Sequence, residues 1–178
     1  MGLQAVIQFA FKDAAVAATR ESFAGRLFAE GIAHVTGGNF SHVELWLSGP
    51  LNAAYCFSSR EPAGTQFTTL DLTDTSLWTI VAAPAALLYE QVLFWCKGRE
   101  GRRYNFLGLD GIAIGTPITD PHDDFCSQCQ FELLQDCLGI WQGSRSYWIA
   151  PSGFGRDGKR FGFYELLTGD QTIGGYKP

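Results

Sequence analysis

In "HDDFCSQCQFELL" (122–134), Cys126 and Cys129 stand three apart behind two aspartates, where an apolar helical pattern begins. A structural zinc site takes four ligands, usually as two paired clips, and the chain has no second C-x-x-C. A zinc deaminase pairs H-x-E with a later C-x-x-C, and "HVE" (42–44) does precede "CSQC" (126–129). That pattern wants a proline where this chain has Phe125, and here the H-x-E falls on an alternating strand rather than at a helix start. A redox pair needs a thioredoxin-like strand–helix setting, which the loop before 122 does not supply. Beside the zinc deaminase, which stays open as the lesser alternative, a further reading gives the chemistry to Cys126 alone. In the first turn of a helix, unpaired N–H groups and the helix dipole favour a thiolate.

A nucleophilic thiol needs a base within hydrogen-bond reach. "SHVELWLSG" (41–49) alternates, setting Val43, Leu45 and Leu47 on one face and His42, Glu44 and Trp46 on the other. His42 therefore heads a strand from a polar face. His34, at a helix end, and His122, in a loop, read as exposed or satisfied polar residues. Cys56, Cys96, Cys129 and Cys137 read as buried packing thiols, the commonest fate of a free cysteine.

These residues must be placed by the elements around them. "LQAVIQFAF" (3–11) reads as a strand and "ESFAGRLFAEGIA" (21–33) as a helix that "TGGN" breaks. Strands follow at 41–49, 52–59, 65–72 and 77–84, which predicts a run of adjacent, mostly antiparallel strands. A helix is expected over 86–101, a loop-rich stretch over 102–124, and a helix over 125–139 with Asp124 as N-cap and Gly139 at its C-terminal stop. In that last helix Cys126, Gln130, Leu133, Leu134 and Cys137 share an inward face. A short helix is expected around "FYELL".

With 178 residues, 46% hydrophobic and 17% charged, the chain is expected to form one domain, 1–178, with a real core. A net charge of -5 argues against a nucleic-acid surface. The basic run "KGREGRR" (97–103) reads as a solvated helix end. No apolar run reaches the length of a membrane span, and the N-terminus lacks the charged start of a signal peptide. Five cysteines without regular spacing fit a reducing compartment. The expectation is a cytoplasmic protein of the producing cell or a phage-infected host, or one associated with a virion, without cofactor or metal.

"FSHVELWLSG…YCFSSREPAGTQF", "RRYNFLGLDG", "DDFCSQ" and the closing "PSGF…FYELL" together resemble the circularly permuted papain-like cysteine hydrolases of the NlpC/P60 superfamily, in particular its YiiX/YaeF-like branch with many phage-encoded members. The likeness covers residues 3–167 in order and spacing. It implies an α+β, permuted papain-like (NlpC/P60-like) fold, in which a mostly antiparallel central sheet packs against the helix carrying the nucleophile. Carried over, it makes Cys126 the nucleophile and His42 the general base, with the Cys126 N–H helping to hold an oxyanion. In the resembling enzymes a polar residue, often Glu, orients the imidazole from the next strand. "YCFSSRE" (55–61) offers Ser58 first, then Ser59 and Glu61, while Glu44 is an alternative on the histidine strand itself. A serine would orient the ring without stabilising its charge. The implied activity is an amidase, peptidase, thioesterase or acyl hydrolase working through an acyl-cysteine. Its partner would be a peptide, lipid or conjugate carrying an amide, ester or thioester. Trp46, Tyr104, Phe106 and Trp148 are candidates to line its groove. From another class, a non-catalytic papain-like module with a structural or host-interaction role would fit a site lacking its carboxylate.

Overall fold

The computed structural model describes residues 7–36, 38–108, 116, 120, 122–151 and 161–168. The start of the first expected strand (3–6), much of the loop between 109 and 121, and 152–160 lie outside them. Strand β1 (Gln8–Asp13) is followed by two helices, α1 (Ala14–Arg20) and α2 (Phe23–Thr36), where the sequence suggested one. The separating signal is Asp13, whose carboxylate accepts from the Val16 N–H at 2.9 Å and caps an alanine-rich turn. The chain then becomes extended at Glu21 before α2 begins.

Strands β2 (Phe40–Ser48), β3 (Ala54–Arg60), β4 (Gly64–Leu70) and β5 (Trp78–Ala82) complete a five-stranded sheet in the order β4-β3-β2-β1-β5, antiparallel throughout. The register pairs Lys12 with His42 and Ala10 with Glu44, and it shifts between Lys12 and Asp13 at the head of β2. Helix α3 (Tyr89–Arg99), short strands β6 (Arg103–Tyr104) and β7 (Asp123–Asp124), and helix α4 (Cys126–Leu138) follow. The chain closes with β8 (Ile149–Ala150), β9 (Phe161–Gly162) and α5 (Phe163–Thr168). The architecture is α+β.

The main core lies between one face of the sheet and the later helices. Phe9, Phe11, Val43, Leu45, Leu47 and Phe57 meet Val92 and Cys96 of α3, Cys129, Phe131, Leu133 and Leu134 of α4, and Phe163 of α5. Fully burying each such phenylalanine is worth roughly 1.5–3 kcal/mol. A smaller cluster of Ala10, Ala54, Cys56, Leu72 and Trp78 covers the other face, with Trp46 against it. The alternation read along 41–49 therefore divides two packed faces rather than a core from solvent, and Glu44 is fully buried.

Two glycines matter for placing the site. Gly139, at φ 67°, ends α4 in the left-handed region. Gly64, at φ 78°, makes the β3–β4 turn where a Cβ would run into the Arg102 carbonyl. That close approach lets the Thr65 N–H donate to Arg102 O at 2.8 Å and holds β6, with Tyr104, beside the sheet. Among the described residues no helix is long and apolar enough to cross a membrane.

Candidate active site

Cys126 is the first residue of α4, and Phe125, in extended conformation, is the N-cap without a side-chain hydrogen bond. The expectation that Asp124 caps the helix fails because its carboxylate is drawn elsewhere, to Arg99 at 3.3 Å and Arg102 at 3.5 Å. A permanently charged guanidinium outcompetes the neutral N–H groups of the first turn. The helix start is thus left without a side-chain cap at the residue that carries the thiol.

The helix lies on the Val43–Leu45–Leu47 face of β2, and its first residue meets His42 at the head of that strand. The imidazole lies beside the Cys126 side chain, near enough for the sulfur's charge to act on the ring. On its other side His42 Nε2 is hydrogen-bonded to Glu44 Oε1. Glu44 Oε1 also forms an ion pair with Arg60 Nη2 at 2.5 Å. Four side chains from β2, β3 and α4 thus form one chain of contacts: thiol, imidazole, carboxylate, guanidinium.

Burial alone would pull the His42 imidazole down, yet the charges of Cys126 and Glu44 beside it outweigh that and bring it up to about 9. Burial would likewise raise the Glu44 carboxyl, but His42 and Arg60 hold it below the usual carboxylate range. The ring is therefore protonated at neutral pH and Glu44 is ionised, and their protons are shared as a coupled group.

Of the residues proposed to orient the ring, Ser58 does not do so: its buried hydroxyl donates to Val43 O at 2.7 Å, satisfied within the sheet. Ser59 donates to the Asp124 carbonyl, bracing the chain just before the helix. Glu61 lines the rim of the neighbouring pocket. The carboxylate against the imidazole is Glu44, on the histidine's own strand two residues on. Arg60 is the site residue that the sequence reading left out. The alternation of "YCFSSR" already placed it on the face of Cys56 and Ser58, the face shared with Glu44.

The other cysteines lie apart from this chain of contacts. Burial pushes the thiols of Cys56, Cys96, Cys129 and Cys137 up, so these four stay protonated. Cys129 is packed in the main core with the charges of Asp124 and Arg99 nearest it, not with His42. Among the described residues no three His, Cys, Asp or Glu side chains gather as a metal ion would need, so the H-x-E and C-x-x-C segments do not meet as a zinc site. His34 and His122 are exposed.

A pocket of about 170 Å³ opens beside His42, lined by Lys12, Glu21, Gly25, Ala29, Ser41, His42, Arg60, Glu61 and Tyr104. Of the four aromatic candidates for a groove, Tyr104 alone belongs to this lining. Burial, with Cys126 and Glu61 nearby, holds its phenol well above the usual range, so it remains a hydrogen-bond donor. Phe106 packs edge-on against Tyr104 and is half exposed, Trp148 is buried, and Trp46 packs on the opposite sheet face.

No protein-family model matches the chain, and no curated protein matches it.

Proposed function

We propose that this chain is a thiol hydrolase of the permuted papain-like kind. The observation that carries the reading is the imidazole of His42 held between the Cys126 thiol and the buried Glu44 carboxylate. The chain order supports it: a histidine strand leads and a cysteine helix follows, packed on an antiparallel sheet.

In the proposed reaction the sulfur of Cys126, its proton carried by His42, attacks a carbonyl carbon and forms a tetrahedral oxyanion. The uncapped N–H at the start of α4 faces that developing charge, a contribution of about 3 kcal/mol for a well-placed donor. His42 then gives its proton to the leaving group, and the acyl-cysteine is released by a water that His42 deprotonates. Glu44 keeps the ring oriented and stabilises the imidazolium.

The pocket favours a polar substrate. Lys12, Glu21, Ser41, Arg60, Glu61 and Tyr104 form most of its wall, and an acyl chain seated there would bury apolar surface against charged groups that prefer water. A peptide or isopeptide amide fits this lining better than a lipid ester. The rival idea of an inert module rested on a site without its carboxylate, and Glu44 fills that position.

Alkylation by iodoacetamide at pH 7, read by peptide mass spectrometry, tests the proposal. By exposure Cys137 should react first, because Cys126 is only 2% exposed. We expect the reverse order, with hydrolysis of a peptide-amide panel lost in Cys126→Ala. Alkylation of Cys126 no faster than Cys137 would sink the hydrolase reading.

A further inference from the structure

We infer that Arg60 is a positioning residue that acts on His42 through Glu44, keeping Glu44 a carboxylate during the part of the cycle in which the imidazole is neutral. The inference rests on the thiol-hydrolase reading above. Glu44 is fully buried and sits between two cations, His42 on its own strand and Arg60 on β3. One of those cations is temporary. When His42 passes its proton to a leaving group, the buried carboxylate would lose its only counter-charge among the described residues were Arg60 absent. A lone buried carboxylate takes up a proton rather than stay ionised. Arg60 cannot lose its charge, so the carboxylate survives each turnover.

The local contacts fit a guanidinium committed to this task. Among the described residues Glu44 Oε2, Arg60 Nε and Arg60 Nη2 are buried without a hydrogen-bond partner, Nη2 meeting Glu44 Oε1 at 2.5 Å as an ion pair. The other groups facing the array are Cys126 on α4, whose charge favours the protonated ring, and Cys56 on β3, whose thiol stays protonated beside Glu44. Around the pocket stand Lys12 on β1, paired with Glu21, together with Glu61 and Tyr104. None of these supplies a second permanent cation against Glu44.

The test is the His42 titration in the full-length protein, followed by NMR of the ring proton, beside the pH profile of Cys126 alkylation by iodoacetamide. Removing the guanidinium in Arg60→Met should make the His42–Glu44 pair hold its proton harder and move the midpoint up by about one pH unit, a tenfold gain in proton affinity. Glu44→Gln should move it down, and Arg60→Lys should restore it to near the wild-type value. Should Arg60→Met fail to fold, Arg60→Gln keeps a neutral polar group in its place and carries the same expectation. A midpoint that stays within about 0.3 unit of wild type, or falls, in the neutral variant overturns the inference. The NMR titration needs no reactive thiol, so an unreactive wild-type Cys126 would count against the hydrolase reading while Arg60 is still judged on its own.

Discussion

Two buried ion arrays flank helix α4, and they are built differently. At its start, His42, Glu44 and Arg60 run from the thiol toward an open pocket. Along its flank, Arg99 pairs with Asp124 on β7 and with Glu132 and Asp136 on the helix, Arg102 reaches Asp124 as well, and Arg99 stacks on Trp95 at 4.3 Å. The second array holds permanent cations against carboxylates and ties α3, β7 and α4 together. The first sets a histidine, raised to about 9, against the Cys126 side chain, whereas the second holds Asp124, which burial raises to about 6, among its cations. Burial and ion pairing are thus common to both arrays and say little about chemistry by themselves. In the proposed function, what separates a reactive array from an anchor is an exchangeable proton next to a nucleophile, with space beside it.

The sharpest break in this comparison is Cys126→Ala. Hydrolysis should fall by at least about 10⁴-fold, the scale seen when a nucleophile is removed, with the circular dichroism spectrum unchanged; retained turnover would move the chemistry away from α4. Next comes Arg99→Met in the anchor, which leaves the buried Asp124 with Arg102 alone and takes the cation from the part-buried Glu132, and should cost about 3 kcal/mol in urea unfolding. The same variant should leave the His42 midpoint where it is, because the anchor shares no member with the reactive array.

Glu44→Gln touches the reactive array and should lower turnover at least about tenfold, with the alkaline limb of the rate profile displaced to lower pH. In the wild type that limb should lie at about 9, where His42 loses its proton. The stability that His42 contributes is fully present below its ordinary value of 6.5 and is lost as pH rises through about 9. The part due to Glu44 is present above its ordinary value of 4.5 and disappears on acidification. Thermal unfolding followed from about pH 2 to pH 10 should show both declines. The smallest effect belongs to Cys129→Ala: about 1 kcal/mol of lost packing with Cys126 alkylation unaltered. A large change in reactivity there would make the C-x-x-C a working pair after all.

Much of this was legible along the chain. Alternation over 41–49 gave strand β2 and set His42 and Glu44 on one face, and helical periodicity with Gly139 as its stop gave α4 with Cys126 at its start. Local patterns suffice for such elements because side-chain period follows directly from backbone geometry. Two readings of polar partners went astray, both for one reason. Asp124 looked like a cap and Ser58 like the orienting group. In the fold Asp124 serves Arg99 and Ser58 is satisfied by the Val43 carbonyl, while in "KGREGRR" Lys97, Glu100 and Arg103 form the exposed helix end expected and Arg99 turns inward. Each misreading depended on which polar partner a distant segment would supply.

The sequence by itself therefore indicated most of the elements, their order from histidine strand to cysteine helix, and the Cys126 and His42 that the fold brings side by side. Only the tertiary structure decided that Glu44 rather than Ser58 meets the ring, that Arg60 stands behind it, and that Asp124 is withdrawn from the helix start. Buried charges take the partners that best replace lost water, and those partners come from segments far apart in the chain.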